Sequence, residues 1–302
     1  MPATCFFQER QPSFAKSYSV KGERSQTGAP EAVPGPPSGF LQCLEAPQGA
    51  SATNCGQQAR ELIDSNLGQQ GAILLQKLPV VGDEAEAGHF VEALGYNVIK
   101  YEPFGGQRKK IGKLDAATNI PGARILPVHN EMSYNVRASK KIMLLCLRAA
   151  DKGGENLVAR NAEVTSYIPP EILQKFDDRG GIRYTRRYGK EDKPPEQGDG
   201  GLRPGTISWK TRTGADTIDA AAQYWRDLGF TEVSHDAEGT LTVVNTQPAC
   251  LQGPSGEPLF FNIASKASVS HPSSPFSITY GDGSKIEDET IDALNEAEWR
   301  AS

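Results

Sequence analysis

Pro127-Val128-His129-Asn130-Glu131-Met132-Ser133-Tyr134-Asn135 is the stretch that decides how this chain of 302 residues folds and what it can do. Of the 4 histidines, only His129 is followed two positions later by a carboxylate. On a β-strand, positions i and i+2 project from one face. An imidazole and a carboxylate so placed can occupy two adjacent corners of the facial triad of a non-haem iron site, whose other corners stay open. Alone the pair is weakly specific, because four histidines at this acidic content give one about half the time by chance. The plain alternative is a solvated strand-end histidine beside a glutamate. His235 lies in a polar turn and His271 precedes a proline, so both are expected to be structural or exposed. His89 is expected on a helix surface.

Working outward, the chain after residue 125 alternates short apolar segments with Gly, Pro and Asn. Residues 142–147, 241–244 and 259–263 are the clearest of these, and they predict strands of a β-sandwich. Cys146, inside the first, is expected in the core. Between them, Pro169 and Pro170 open a helix with Ile172, Leu173 and Phe176 inward, and another from Asp216 turns Ile218, Ala222, Trp225 and Leu228 inward. Residues 189–205 are polar and rich in Gly and Pro, which predicts a long surface loop. Upstream, Ala59, Leu62, Ile63, Asn66 and Leu67 fall at helical spacing, and residues 72–75 look like a buried strand. Asp83 and Glu86 form a capping-box-like pair ahead of Phe90, Val91 and Leu94, with Gly95 as the stop. The fold class is therefore mainly β with flanking helices, α+β. Residues 1–54 read as a flexible N-terminal segment with a Pro/Gly-rich linker at 30–39, and 55–302 as a single domain.

Charge narrows the function classes. Acidic residues outnumber basic ones 37 to 32, so no overall positive field exists to draw nucleic acid or anionic lipid. Residues 142–147 are far short of the roughly 20 apolar residues that cross a bilayer, and no N-terminal segment resembles a secretory signal, so a cytoplasmic location is expected. The Arg-, Lys- and Ser-bearing N-terminus leaves organelle import as an alternative. The 5 cysteines are scattered without a CxxC pair, against both a disulfide framework and a zinc knuckle. Arg183, Arg186 and Arg187, interleaved with Tyr184 and Tyr188, can grip a carboxylate in a cleft or form one charged strand face.

The longer pattern is more specific than the His/Glu pair. His129-Asn130-Glu131-Met132-Ser133-Tyr134, then Gly153-Gly154-Glu155, then Gly181-Ile182-Arg183-Tyr184-Thr185-Arg186 resembles the taurine dioxygenase-like (TauD/TfdA) superfamily, particularly its clavaminate synthase-like branch. Gly71-Ala72-Ile73-Leu74-Leu75, Phe260-Phe261-Asn262, His271-Pro272-Ser273-Ser274 and Tyr280-Gly281-Asp282-Gly283 agree in the same order. The resemblance implies a double-stranded β-helix (jelly roll) that holds Fe(II) and 2-oxoglutarate. Dioxygen would oxidise a small amino-acid-like substrate there by hydroxylation or a related step. It implies His129 and Glu131 as metal ligands, Asn156 beside 2-oxoglutarate where the family usually has threonine, and Ser133, Arg183 and Asn262 as substrate contacts. The family's second histidine and its 2-oxoglutarate-binding arginine lie downstream of the Gly-Asp-Gly stretch. Their absence before Ser302 leads to three expectations: a jelly roll incomplete at the C-terminus, an exposed sheet edge open to self-association, and doubtful turnover by this chain alone. The alternative is an inactive paralogue or fragment that serves as a binding module.

Overall fold

Two helix starts and two helix stops organise the first half of the chain. In the computed structural model, Ser51 accepts a hydrogen bond from the Asn54 amide at the head of α1 (Ala52–Gln70), and Asp83 accepts from the Ala85 and Glu86 amides at the head of α2 (Glu84–Leu94). Side-chain oxygens at these positions satisfy amides that have no partner inside the helix. Gly95 ends α2 at φ 64, a left-handed conformation that glycine enters without a Cβ clash. The two helices approach closely at Gly56, where a Cβ would come within 2.5 Å of the Phe90 carbonyl oxygen and 2.7 Å of the Ala93 Cβ. Ala52, Cys55 and Ala59 meet Ala87, Phe90, Val91 and Leu94 in one apolar cluster.

The structure describes residues 8–10, 40–98, 110–111, 114–116, 128–136, 139–149, 151, 156–194, 196–198, 201–203, 206–264 and 276–301. The 30–39 linker, Gly153-Gly154-Glu155 and His271-Pro272-Ser273-Ser274 fall outside these. A first sheet joins β1 (Gln8–Arg10), β2 (Leu41–Glu45) and β3 (Ala72–Gln76), with β1 antiparallel and β3 parallel to β2. Residues 40–54, which composition placed in the N-terminal segment, thus carry β2 and the first turn of α1. A minimal hairpin of β4 (Lys110–Ile111) and β5 (Leu114–Asp115) follows. Next come α3 (Asn161–Tyr167) and α4 (Pro170–Asp178).

The second half is built around an antiparallel sheet. Its strands are β6 (Ile182–Tyr188), β9 (Glu232–His235), β10 (Leu241–Gln247) and β13 (Phe276–Tyr280), in the order β13-β6-β10-β9. Strands β7 (Glu196–Gly198) and β8 (Gly201–Arg203) make a separate hairpin inside the 189–205 stretch, closed by a bridge from Lys193 to Thr206. Helices α5 (Trp209–Thr213) and α6 (Ile218–Asp227) precede β9; the short pair β11 (Cys250–Gln252) and β12 (Pro258–Phe260) precedes β13; and α7 (Asp288–Ala301) ends the described chain. In the β6–β10 register Ile182 opposes Gln247, Tyr184 opposes Asn245, Arg186 opposes Val243 and Tyr188 opposes Leu241. Side chains directly opposite share a face, so these eight line one side of the sheet. Gly181, at φ +89, lies where a Cβ would sit 2.1 Å from the Gln247 carbonyl oxygen, which binds the start of β6 tightly to the end of β10.

Two apolar clusters lie on this sheet. Phe176, Ile182, Tyr184, Phe260, Ile278, Tyr280 and Leu294 belong to one, and Tyr188, Trp209, Trp225, Phe230, Leu241 and Val243 to the other. Burial of each large side chain contributes about 1.5–3 kcal/mol.

Three expectations are corrected. Residues 142–147 form no ladder: Leu145 and Leu147 pack on the α1–α2 cluster while Ile142, Met143 and Leu144 are exposed. Cys146, on the outward side of the same extended stretch, is exposed rather than core. In the 259–263 segment the strand stops at Phe260, where the chain turns through Asn262. Among the described residues helices and sheets are mixed and the sheets do not close into a barrel. No described helix is long and apolar enough to cross a membrane.

Candidate metal centre

His129 and Glu131 converge. The Nε2 of His129 lies 3.3 Å from Oε2 of Glu131, with the side chains 19% and 24% exposed. Donors on adjacent corners of an octahedral divalent cation with bonds of about 2.1 Å are about 3 Å apart, so this spacing suits two ligands of one metal. The pair is not on a strand, however. Residues 128–130 are outside any element, and 131–136 form turns and bends. Met132 has φ 58, which no strand residue adopts. Convergence therefore comes from a turn rather than from strand alternation.

The turn is anchored on both sides. The Asn130 side chain donates to Oδ1 of Asn161, the first residue of α3, at 2.9 Å. Met132, Ser133, Tyr134 and Asn135 are all buried, and their contacts run to the face of β6 and β10 that carries Tyr184, Arg186, Asn245 and Gln247. Among the described residues no cluster of three or more His, Cys, Asp or Glu is placed to hold a metal.

The other sequence-derived residues distribute unevenly. Ser133 lies on the same turn, and its buried hydroxyl makes no hydrogen bond of ordinary geometry, although the Tyr184 phenol is its neighbour. That phenol is held well above the usual tyrosine range, first by burial, while the Ile263 amide donates to it. Asn262 is fully buried and braces a turn, its Nδ2 donating to the Ala249 carbonyl at 2.7 Å and its Oδ1 accepting from the Ala264 amide at 2.8 Å. Asn156 is exposed on the stretch leading to α3. Arg183 projects from the opposite face of β6 to Tyr184 and Arg186, where its guanidinium grips both carboxylate oxygens of Glu232, at 2.7 and 3.4 Å. The structure thus brings His129 and Glu131 together, has Ser133 buried on the same turn and keeps Arg183 on another surface.

The remaining described histidines are engaged elsewhere. His89 meets Glu86 at 3.3 Å on α2, and His235 meets Asp219 at 3.0 Å. His271 is outside the described residues. Sequence reading missed Asn245 and Gln247, the residues of β10 that reach the turn. Their signal was present: the face of β10 that carries apolar Leu241 and Val243 continues with two carboxamides, and polar groups on a buried face require partners.

A model of the taurine catabolism dioxygenase TauD, TfdA family matches residues 40–299. The chain is similar to the dapdiamide synthesis protein DdaC of Enterobacter agglomerans, 32% identical over 127 residues that cover 42% of this chain and 38% of that protein. It is also similar to a clavaminate synthase-like protein of Arabidopsis thaliana, 25% identical over 194 residues, 63% of this chain and 56% of that protein. The matched part therefore spans about half of these relatives or less.

Proposed function

Because this chain belongs to the taurine catabolism dioxygenase TauD, TfdA family, we propose that it is an oxidoreductase of the Fe(II)- and 2-oxoglutarate-dependent dioxygenase type, with His129 and Glu131 as two of the iron ligands. The observation that carries this is the 3.3 Å approach of His129 Nε2 to Glu131 Oε2 on a turn that is partly open to solvent. The family also implies that the sheets belong to a jelly roll.

When bound, Fe(II) with 2-oxoglutarate supplies the activation of dioxygen and the oxidation of a substrate C–H bond, chemistry that side chains alone do not provide. The chain's own groups hold and orient. A cation takes an imidazole through its unprotonated nitrogen and a carboxylate in its ionised form, and His129 and Glu131 are the side chains that would supply these two donors. Two fixed donors on one side direct small molecules to the other. Ser133, two residues beyond Glu131 and buried, is assigned to the edge of the substrate pocket. Asn156 is assigned to the 2-oxoglutarate side, where its amide offers both a donor and an acceptor. The substrate is proposed to be small and amino-acid-like, as the resemblance to the clavaminate synthase-like branch implies.

Anaerobic equilibrium dialysis against Fe(II), with and without 2-oxoglutarate, tests the ligand assignment. Wild-type protein should retain iron, more tightly with 2-oxoglutarate present, and His129→Ala and Glu131→Gln should each lose it. Iron retention by both variants equal to that of wild type would remove these residues from the site.

A further inference from the structure

A turn that is neither helix nor strand, yet buried, must find hydrogen-bond partners for its backbone outside itself. Residues 132–135 are such a turn. Within it the Asn135 amide donates to the Met132 carbonyl at 3.0 Å, and the Ser133 amide reaches the Asn130 carbonyl at 3.4 Å. The next two carbonyls are met by side chains of β10. Gln247 Nε2 donates to the Ser133 carbonyl at 2.7 Å, and Asn245 Nδ2 donates to the Tyr134 carbonyl at 3.2 Å. Asn245 also donates to Oε1 of Gln247 at 2.9 Å, which fixes the orientation of both carboxamides.

The third anchor comes from β6. The guanidinium of Arg186 is buried, and its Nη2 donates to Oδ1 of Asn135 at 2.5 Å. Its Cζ lies 4.8 Å from the Tyr134 ring centroid, 5.4 Å from that of Trp225 and 5.6 Å from that of Phe230. A guanidinium that faces aromatic rings in a desolvated setting is held by their quadrupoles. Arg186 therefore grips the turn twice, through the Asn135 side-chain oxygen and through the Tyr134 ring.

We propose that Arg186, Asn245 and Gln247 form a positioning clamp that fixes the 132–135 turn on the sheet and thereby holds Glu131 against His129. The anchored residues begin two positions after Glu131, so displacement of the turn displaces the carboxylate. The left-handed φ of Met132 strengthens the inference, because a non-glycine residue persists there only when its surroundings hold it. The clamp works before any metal arrives: the ligand pair is set by the sheet. The positioning role, though not the clamp itself, rests on the metal-centre reading.

Hydrogen exchange of the metal-free chain, combined with anaerobic Fe(II) titration, tests this in wild type, Gln247→Leu and Arg186→Lys. Arg186→Lys keeps the charge near the rings and loses the planar fork, so it carries the test if Gln247→Leu fails to fold. The expected result is at least about tenfold faster exchange across 129–136 with 182–188 unchanged, and Fe(II) binding weakened about 10- to 100-fold, the range for groups that orient metal ligands. Unchanged exchange across 129–136 overturns the clamp whatever the iron does. Faster exchange with iron binding equal to wild type overturns the positioning role. Faster exchange with no iron bound even by wild type supports the clamp, overturns its positioning role and counts against the oxygenase reading, so the two failures are distinct.

Discussion

At the scale of single residues, Asp64 shows how charge holds a surface together here. Its carboxylate accepts from the Arg60 guanidinium at 2.5 Å and the Tyr96 hydroxyl at 2.8 Å, and Lys141 lies 3.4 Å away. These partners, the Arg60 hydrogen bond first, hold its pKa down to about 2. The unfolded value is near 3.9, so the folded pKa is depressed. The associated stability is present above about pH 4 and is lost as pH falls toward 2. The group is exposed and salt screens it, so the effect is small. We expect the Asp64 carboxyl resonance in a carbon-detected NMR titration to move near pH 2, and wild type to lose its advantage over Asp64→Asn between pH 4 and 2. A titration centred near pH 4 would contradict the contact set. Tyr96 shares the arrangement: burial, then the hydrogen bond to Asp64, pushes its phenol up to about 12.

At the scale of elements, the α1–α2 pair depends on one missing side chain. Gly56→Ala would put a Cβ against the Phe90 carbonyl oxygen and the Ala93 methyl, and since one contact is backbone, the helices must move apart. Overpacking of this kind costs about 1–3 kcal/mol, which urea denaturation should register as a lower midpoint with an unchanged slope. An unaffected midpoint would mean that the helices are not in this contact. The same pair shows what local signals reveal. α2 was legible because Asp83, Glu86 and Gly95 mark its ends and Phe90, Val91 and Leu94 its inner face. The α4 and α6 helices were legible for like reasons, from Pro170 and from the spacing of Ile218, Ala222 and Trp225. Residues 142–147 were misread because an unbroken apolar run has no period, and nothing local says that Leu145 and Leu147 face the helices while Cys146 faces solvent. β2 was missed because its five residues sit beside a Pro/Gly-rich stretch, and its strand character comes from pairing with β3 across the whole of α1.

At the scale of the whole molecule, the sheet β13-β6-β10-β9 connects core to site. One face carries Ile182, Tyr184 and Leu241 into the apolar clusters, and the same face carries Arg186, Asn245 and Gln247 to the turn after Glu131. The i, i+2 spacing of His129 and Glu131 was readable from the sequence. Their convergence through a turn was not, because it depends on partners 51 to 114 residues away. Arg183 illustrates the converse: alternation along β6 turns it away from the Tyr184 and Arg186 face and toward Glu232. The measurement that tests the central claim most directly is an anaerobic visible-absorption titration of the protein with Fe(II) and 2-oxoglutarate. A weak metal-to-ligand charge-transfer band that appears in wild type and is absent from His129→Ala is the predicted result, and no band in wild type at millimolar iron would contradict it.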